Sequence, residues 1–141
     1  EMHKMELNNT SKYAIRILNY IANHNDGKLL SAKEISQTLD IPYKFLTKIM
    51  TDLVKEGFII SIRGREGGNK LSRDASEISV MDILNTSNEF TNQTECLLGI
   101  GHCDATKQCA LHKQWVQPKA MISEMFVNTS LKDLDGQNFK I

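Results

Sequence analysis

Ser31-Ala-Lys-Glu-Ile-Ser-Gln-Thr-Leu-Asp-Ile-Pro-Tyr-Lys-Phe-Leu-Thr-Lys-Ile-Met-Thr-Asp-Leu-Val-Lys-Glu-Gly57 carries start and stop signals for two consecutive helices. Ser31 with Glu34 three residues on is a capping box, so a short helix runs through Ile35 and Leu39. Asp40-Ile41-Pro42 ends it. Pro42 suits the first position of a following helix, because its missing N–H is one that a first turn leaves unbonded anyway. That helix runs to Glu56, with Leu46, Ile49, Met50 and Leu53 as its apolar stripe and Gly57 as its stop. Two helices joined by a tight turn, the second amphipathic, read as a helix-turn-helix.

The other face of the second helix carries Tyr43, Lys44, Thr47, Lys48, Thr51 and Lys55. In a helix-turn-helix the N-terminal residues of the second helix meet base edges in the major groove, and lysines further along meet phosphates. A solvated polar face is the bland alternative. The segment beyond Gly57 favours nucleic acid. Phe58-Ile-Ile-Ser-Ile62 is β-branched and reads as a strand. Arg63-Gly-Arg-Glu-Gly-Gly68-Asn is a turn with basic flanks, and Lys70-Leu-Ser-Arg73 returns as the partner strand. A recognition helix followed by a basic-tipped hairpin is a winged helix, with Arg63 and Arg65 placed for a minor groove or its phosphates. The candidate DNA contacts are Ser31, Lys33, Tyr43, Lys44, Thr47, Lys48, Arg63 and Arg65.

Upstream, Asn9-Thr10-Ser11 offers N-caps for a helix in which Ala14, Ile17, Leu18 and Ile21 recur at helical spacing, ending at Asn23-His24-Asn25-Asp26-Gly27. Glu1–Lys4 reads as a remnant ahead of Met5 and stands outside the fold reasoning. The 141 residues carry 17 basic and 17 acidic side chains. Residues 1–73 hold 12 Lys/Arg against 8 Asp/Glu and residues 74–141 hold 5 against 9, so a basic front half faces an acidic back half. No apolar run reaches membrane-span length and no charged-then-apolar leader opens the chain, so a reducing, cytoplasmic setting is expected. There are no paired carboxylates, no Ser-His-Asp set and no phosphate loop, so an enzyme is not expected.

Downstream, Ser79 caps a short helix through Leu84. After a polar stretch comes Cys96-Leu-Leu-Gly-Ile-Gly-His-Cys103-Asp-Ala-Thr-Lys-Gln-Cys109-Ala-Leu-His112, which holds all three cysteines and two of the four histidines. A glycine-bearing loop can bring Cys96 and Cys103 to one point. Cys109 and His112, three apart, share a face on a helix that Thr106 could cap, and thiolates near its N-terminal end are favoured by the dipole. Three thiolates and an imidazole suit tetrahedral zinc or an iron–sulfur cluster. Three unligated thiols are the bland alternative. An odd cysteine count argues against a disulfide framework. From Cys109 to about Thr129 a long helix carries Leu111, Trp115, Pro118, Ile122 and Met125 near heptad spacing, a seam that suits a second copy in a symmetric dimer. Pro118 inside it should bend or divide the helix. The fold class is therefore mainly α with a small β-wing. The expected organisation is a winged helix-turn-helix domain over 5–85, a cysteine-bearing loop over 86–108, and a dimerisation helix and tail over 109–141.

Tyr13-Ala-Ile-Arg16, Leu46 with Leu53 and Gly57, Ile62-Arg63-Gly64 with Gly67-Gly68, and the three cysteines together resemble the Rrf-two (Rrf2) family of bacterial winged-helix regulators, in its iron–sulfur branch of IscR, NsrR and RirA type. The resemblance implies a homodimeric repressor or activator on a near-palindromic double-stranded DNA operator, with affinity set by a cluster that responds to iron, redox state or nitric oxide. It also implies that Cys96, Cys103 and Cys109 ligate the cluster, with His112 as fourth ligand of the IscR type, where the cluster is 2Fe–2S; 4Fe–4S stays open. Where the NsrR type uses an aspartate near the start of the first helix, this chain has Lys12, which cannot ligate while charged. A zinc site, or a metal-free thiol switch on the same fold, is the alternative.

Overall fold

A computed structural model describes residues 7–24, 27–87 and 108–141. Helix α1 (Asn9–Asn23) begins one residue earlier than its cap candidates suggest, because the Asn8 side chain accepts the Ser11 N–H at 2.8 Å. Its apolar stripe, Ala14, Ile17, Leu18 and Ile21, is buried as periodicity predicts. Helix α2 (Ala32–Leu39) starts at Ser31, whose hydroxyl accepts the Glu34 N–H at 3.1 Å. Helix α3 (Tyr43–Lys55) buries Leu46, Ile49, Met50 and Leu53, the stripe read from sequence, and Pro42 sits at its N-cap rather than inside it.

Strands β1 (Ile59–Ile62) and β2 (Gly68–Leu71) pair antiparallel, Ile59 facing Leu71 and Ile62 facing Gly68. The return strand thus begins at Gly68, not Lys70. The reason lies in Asn69, which reads as a turn residue yet is buried and paired with Leu30. Leu30 N–H donates to the Asn69 carbonyl at 3.1 Å, Asn69 N–H donates back at 2.7 Å, and the Asn69 amide donates to the same Leu30 carbonyl at 3.0 Å. The hairpin is thereby stitched to the segment that leads into α2.

A 3-10 turn (Ala75–Glu77) leads to α4 (Val80–Thr86), which opens with a complete capping box between Ser79 and Asp82. Helix α5 (His112–Asn128) lies against α4 and has no fully buried residue. It begins at His112, three residues later than expected, because Cys109 belongs to the preceding turn. Pro118 lies within α5, which continues past it as one element. Behind α5 a second 3-10 turn (Leu131–Asp133) drives Leu131 into the core, 1% exposed. There it joins Ala14, Ile17, Leu18, Ile35, Leu46 and Leu53 in one cluster. Leu18→Ala should lower unfolding free energy by about 2–5 kcal/mol, a sum of lost transfer energy and cavity that urea titration measures.

Candidate functional site

The helix-turn-helix angle is fixed by three hydrogen bonds. Asp40, φ 53°, carries the chain out of α2 in the left-handed region. The buried Ser36 hydroxyl donates to the Ile41 carbonyl at 2.6 Å, and Ile41 N–H donates to the Ser36 carbonyl at 3.1 Å. Arg16 reaches across from α1 to donate to the Leu39 carbonyl at 2.8 Å. Tyr13 meets Phe45 edge to face, ring centroids 5.3 Å apart, so α1 braces the first turn of α3. Arg16 as a clamp on the turn was not legible in its charge. Its sequence signal was membership of the Tyr13-Ala-Ile-Arg16 motif, three residues on from the tyrosine that braces α3.

The candidate DNA contacts lie at the start of α2, along α3 and at the wing turn between β1 and β2. Ser31, Lys33, Tyr43, Lys44, Lys48, Arg63 and Arg65 are exposed, and Thr47 is half-buried. Tyr43 is 56% exposed at the first position of α3, a cost in apolar exposure that a base-contacting aromatic would recover. Thr47 Oγ1 donates to the Lys44 carbonyl at 3.0 Å, which leaves its oxygen lone pairs and methyl outward. No acidic residue occurs in α3 before Asp52, so its N-terminal half is cationic throughout. At the wing, a Cβ on Gly67 would overlap the Ile62 carbonyl oxygen, so only glycine fits the turn that projects Arg63 and Arg65. Gly67→Ala should displace that tip. We expect operator affinity to fall several-fold while the thermal midpoint moves little, since wing tips contribute little to the core.

At the mouth of α5 the chain brings two of the four candidate ligands to adjacent turns. His112 N–H donates to the Cys109 carbonyl at 3.1 Å, and both residues are half-buried. They do not share a helical face as expected, since Cys109 precedes the helix. Leu111 occupies the N-cap and, like Pro42 at α3, offers no side-chain acceptor to the first turn, whereas Asn8, Ser31 and Ser79 do so at α1, α2 and α4. A helix start beside a thiol and an imidazole fits a thiolate-ligated centre, since the partial positive charge there favours anionic sulfur. Cys96, Cys103 and Thr106 lie outside the described residues. Among the described residues no three metal-binding side chains meet.

A helix-turn-helix with a basic wing defines the class: a winged-helix regulator of transcription. The family model that matches residues 7–136 is Rrf2, "Iron-dependent Transcriptional regulator", and the chain belongs to this family. It is 33% identical over 134 residues to the HTH-type transcriptional regulator NsrR of Oceanobacillus iheyensis, covering 92% of this chain and 89% of that one. It is 28% identical over 134 residues to IscR of Vibrio campbellii, covering 95% and 79%. The fold matches that of CymR, the global cysteine regulator of B. subtilis, with a TM-score of 0.77 over 92% of this chain and 95% of that one, at 22% identity. The homologues are regulators rather than enzymes, and among the described residues no helix is long and apolar enough to cross a membrane.

Proposed function

We propose that the chain is a cytoplasmic, homodimeric repressor or activator whose affinity for a double-stranded operator is set by an iron–sulfur site built from Cys96, Cys103, Cys109 and His112. The observation that carries this reading is the joining, through α5 and α4, of a helix mouth that holds Cys109 and His112 to a winged head whose recognition helix has no acidic residue before Asp52. The head spans 5–85, the cysteine loop 86–108 and the dimer element 109–141.

Tyr43, Lys44 and Thr47 present to the major groove, Lys48, Ser31 and Lys33 to phosphates, and Arg63 and Arg65 to the minor groove or its backbone. Cys109 and His112 hold their end of the site at the start of α5, and Cys96 and Cys103 supply the other two donors from the loop. Bound there, an iron–sulfur group supplies a centre reactive toward oxidant, iron supply and nitric oxide, of the 2Fe–2S type if His112 ligates. Whatever changes at these donors acts on the DNA only if it stabilises one arrangement of the two heads over another. The heads face half-sites about one helical turn apart, roughly 34–36 Å, so small shifts between them alter fit.

The dimer surface is α5. Met121 is 64% and Met125 54% exposed, one turn apart on the same side of α5, and Leu111, Val116 and Val127 add exposed apolar surface elsewhere around its length. Met125→Glu should convert a dimer to a monomer in sedimentation velocity, because a charge desolvated at the seam is unpaired.

Anaerobic purification with metal and sulfide analysis tests the cluster. Iron and acid-labile sulfide in equal amounts with visible absorption are expected. Colourless protein with zinc would replace the cluster by a structural metal, and protein with neither would leave a thiol switch. Either result overturns the iron–sulfur reading and keeps the regulator.

A further inference from the structure

The end of α5 opposite Cys109 is bolted to the winged head. The Thr129 carbonyl accepts the Val80 N–H at 2.8 Å, Leu131 N–H donates to the Ile78 carbonyl at 2.8 Å, and Ser130 bridges Ser79 antiparallel. Asn19 of α1, 3% exposed, donates through Nδ2 to the Leu134 carbonyl at 2.8 Å, while its own Oδ1 accepts from Asn23 at 2.9 Å. A buried amide with both ends satisfied holds a single orientation, and the Leu134 carbonyl it meets also accepts the Gly136 N–H at 3.1 Å, so Asn19 and the tail's own turn converge on one oxygen. A Cβ on Gly136 would overlap that same Asn19 Oδ1, so the tail follows α1 at the closest approach a backbone allows. Helix α1 in turn holds the α2–α3 turn through Arg16 and the start of α3 through Tyr13.

We infer that this tail, residues 129–136 latched by Asn19, is the coupling element through which a change at the first turn of α5 reaches the recognition helix. The inference rests on the regulator reading and concerns how the regulator's two ends communicate. The 17 residues of α5 span roughly 25 Å as a stiff rod. A rod displaced at one end moves a second body only where it is fixed to it. Beyond its packing against α4, the fixed end is Leu131 in the core and Leu134 on Asn19; α5 itself buries no residue completely. Asn19, whose side chain meets Leu134 and Asn23, is thus a positioning residue. Loosening the latch lets α5 shift without turning α1, so the head keeps its DNA affinity but stops reporting the state of the site.

The test compares the full chain with Gly136→Ala and Asn19→Leu, each prepared anaerobically with iron and sulfide and again after chelation. Amide exchange over residues 129–136 should rise by about tenfold or more in both variants. Chelated variants should bind operator within about twofold of the parent, while the ratio of loaded to chelated affinity falls toward one from the parent's about tenfold. Faster exchange with an unchanged ratio would overturn the latch, and so would unchanged exchange in both variants. A parent that itself shows no ratio would instead overturn the iron–sulfur switch on which the latch depends, and would leave the chain a regulator.

Discussion

Raising monovalent salt from about 50 to about 200 mM is expected to weaken operator binding by at least about a thousandfold, because a dimer that neutralises six to ten phosphates releases as many counterions. Each head offers Lys33, Lys44, Lys48, Arg63 and Arg65, all exposed, so two heads supply enough cations for that count. The residues separate by role. Lys48→Ala should weaken binding about equally on operator and random DNA and reduce the logarithmic salt slope by about one per head. Lys44→Ala should cost about 1–3 kcal/mol and relax discrimination at one base pair, since it lies where the first turn of α3 faces base edges. Arg63→Ala with Arg65→Ala should remove preference for narrow, A·T-rich flanks while leaving the central half-site contacts in place. Fluorescence anisotropy across a salt series reads all three. A salt slope near zero would remove the phosphate-gripping role assigned to these side chains.

Cys109→Ala is expected to abolish stable iron and sulfide incorporation and the visible absorption with it. A four-donor site that loses one thiolate beside the helix start loses the ligand most favoured by its surroundings. His112→Ala should give a lesser loss, because imidazole is the weaker of the two donors for iron–sulfur centres and water can replace it. The helix itself should survive both, since neither side chain caps it: Leu111 occupies the N-cap. Circular dichroism checks that point and keeps loss of metal distinct from loss of fold. If Cys109→Ala retained full iron and sulfide, the ligand set would have to be redrawn without it.

The pH response of the tail is set by its caps. Asp133 has its carboxyl held below the usual range by the Ser130 N–H, then by the Ser130 hydroxyl, and Asp135 likewise by Asn138. A depressed folded pKa means the stabilisation is present above the unfolded value of about 4 and is lost as pH falls through the lower folded value. Amide exchange in residues 130–138 should therefore be pH-insensitive in its opening equilibrium at neutrality and rise only on acidification below about pH 4.

What the sequence disclosed and what it withheld divide along local and tertiary lines. Helices α1 to α3 were legible because their signals are short-range: Ser31 with Glu34, the stripe Leu46, Ile49, Met50 and Leu53, and Gly57 after the last turn. The wing was legible from Phe58–Ile62 and the glycines, but its register was not, since the pairing of Asn69 with Leu30 joins residues far apart in the chain. The start of α5 was misplaced because apolar spacing continues through Leu111 into a turn that is not helical. At Pro118 the sequence left a bend or a division open, since helix breaking at proline is a local rule, and of the two the division does not occur: α5 continues past it as one element. The tail was missed altogether. Ser130-Leu-Lys-Asp133 carries a capping signature, yet nothing local says that Leu131 belongs to the core of the head. For the site, only Cys109 and His112 can be compared with expectation. The structure brings them to adjacent turns, and Cys96 and Cys103 lie outside the described residues.

Operator affinity of the same anaerobic preparation, measured before and after chelation of its iron at one salt concentration, tests the central claim most directly. A difference of about tenfold or more, in either direction, is expected of a site coupled to DNA binding. Equal affinities, from protein shown to hold iron and sulfide before chelation, would contradict it.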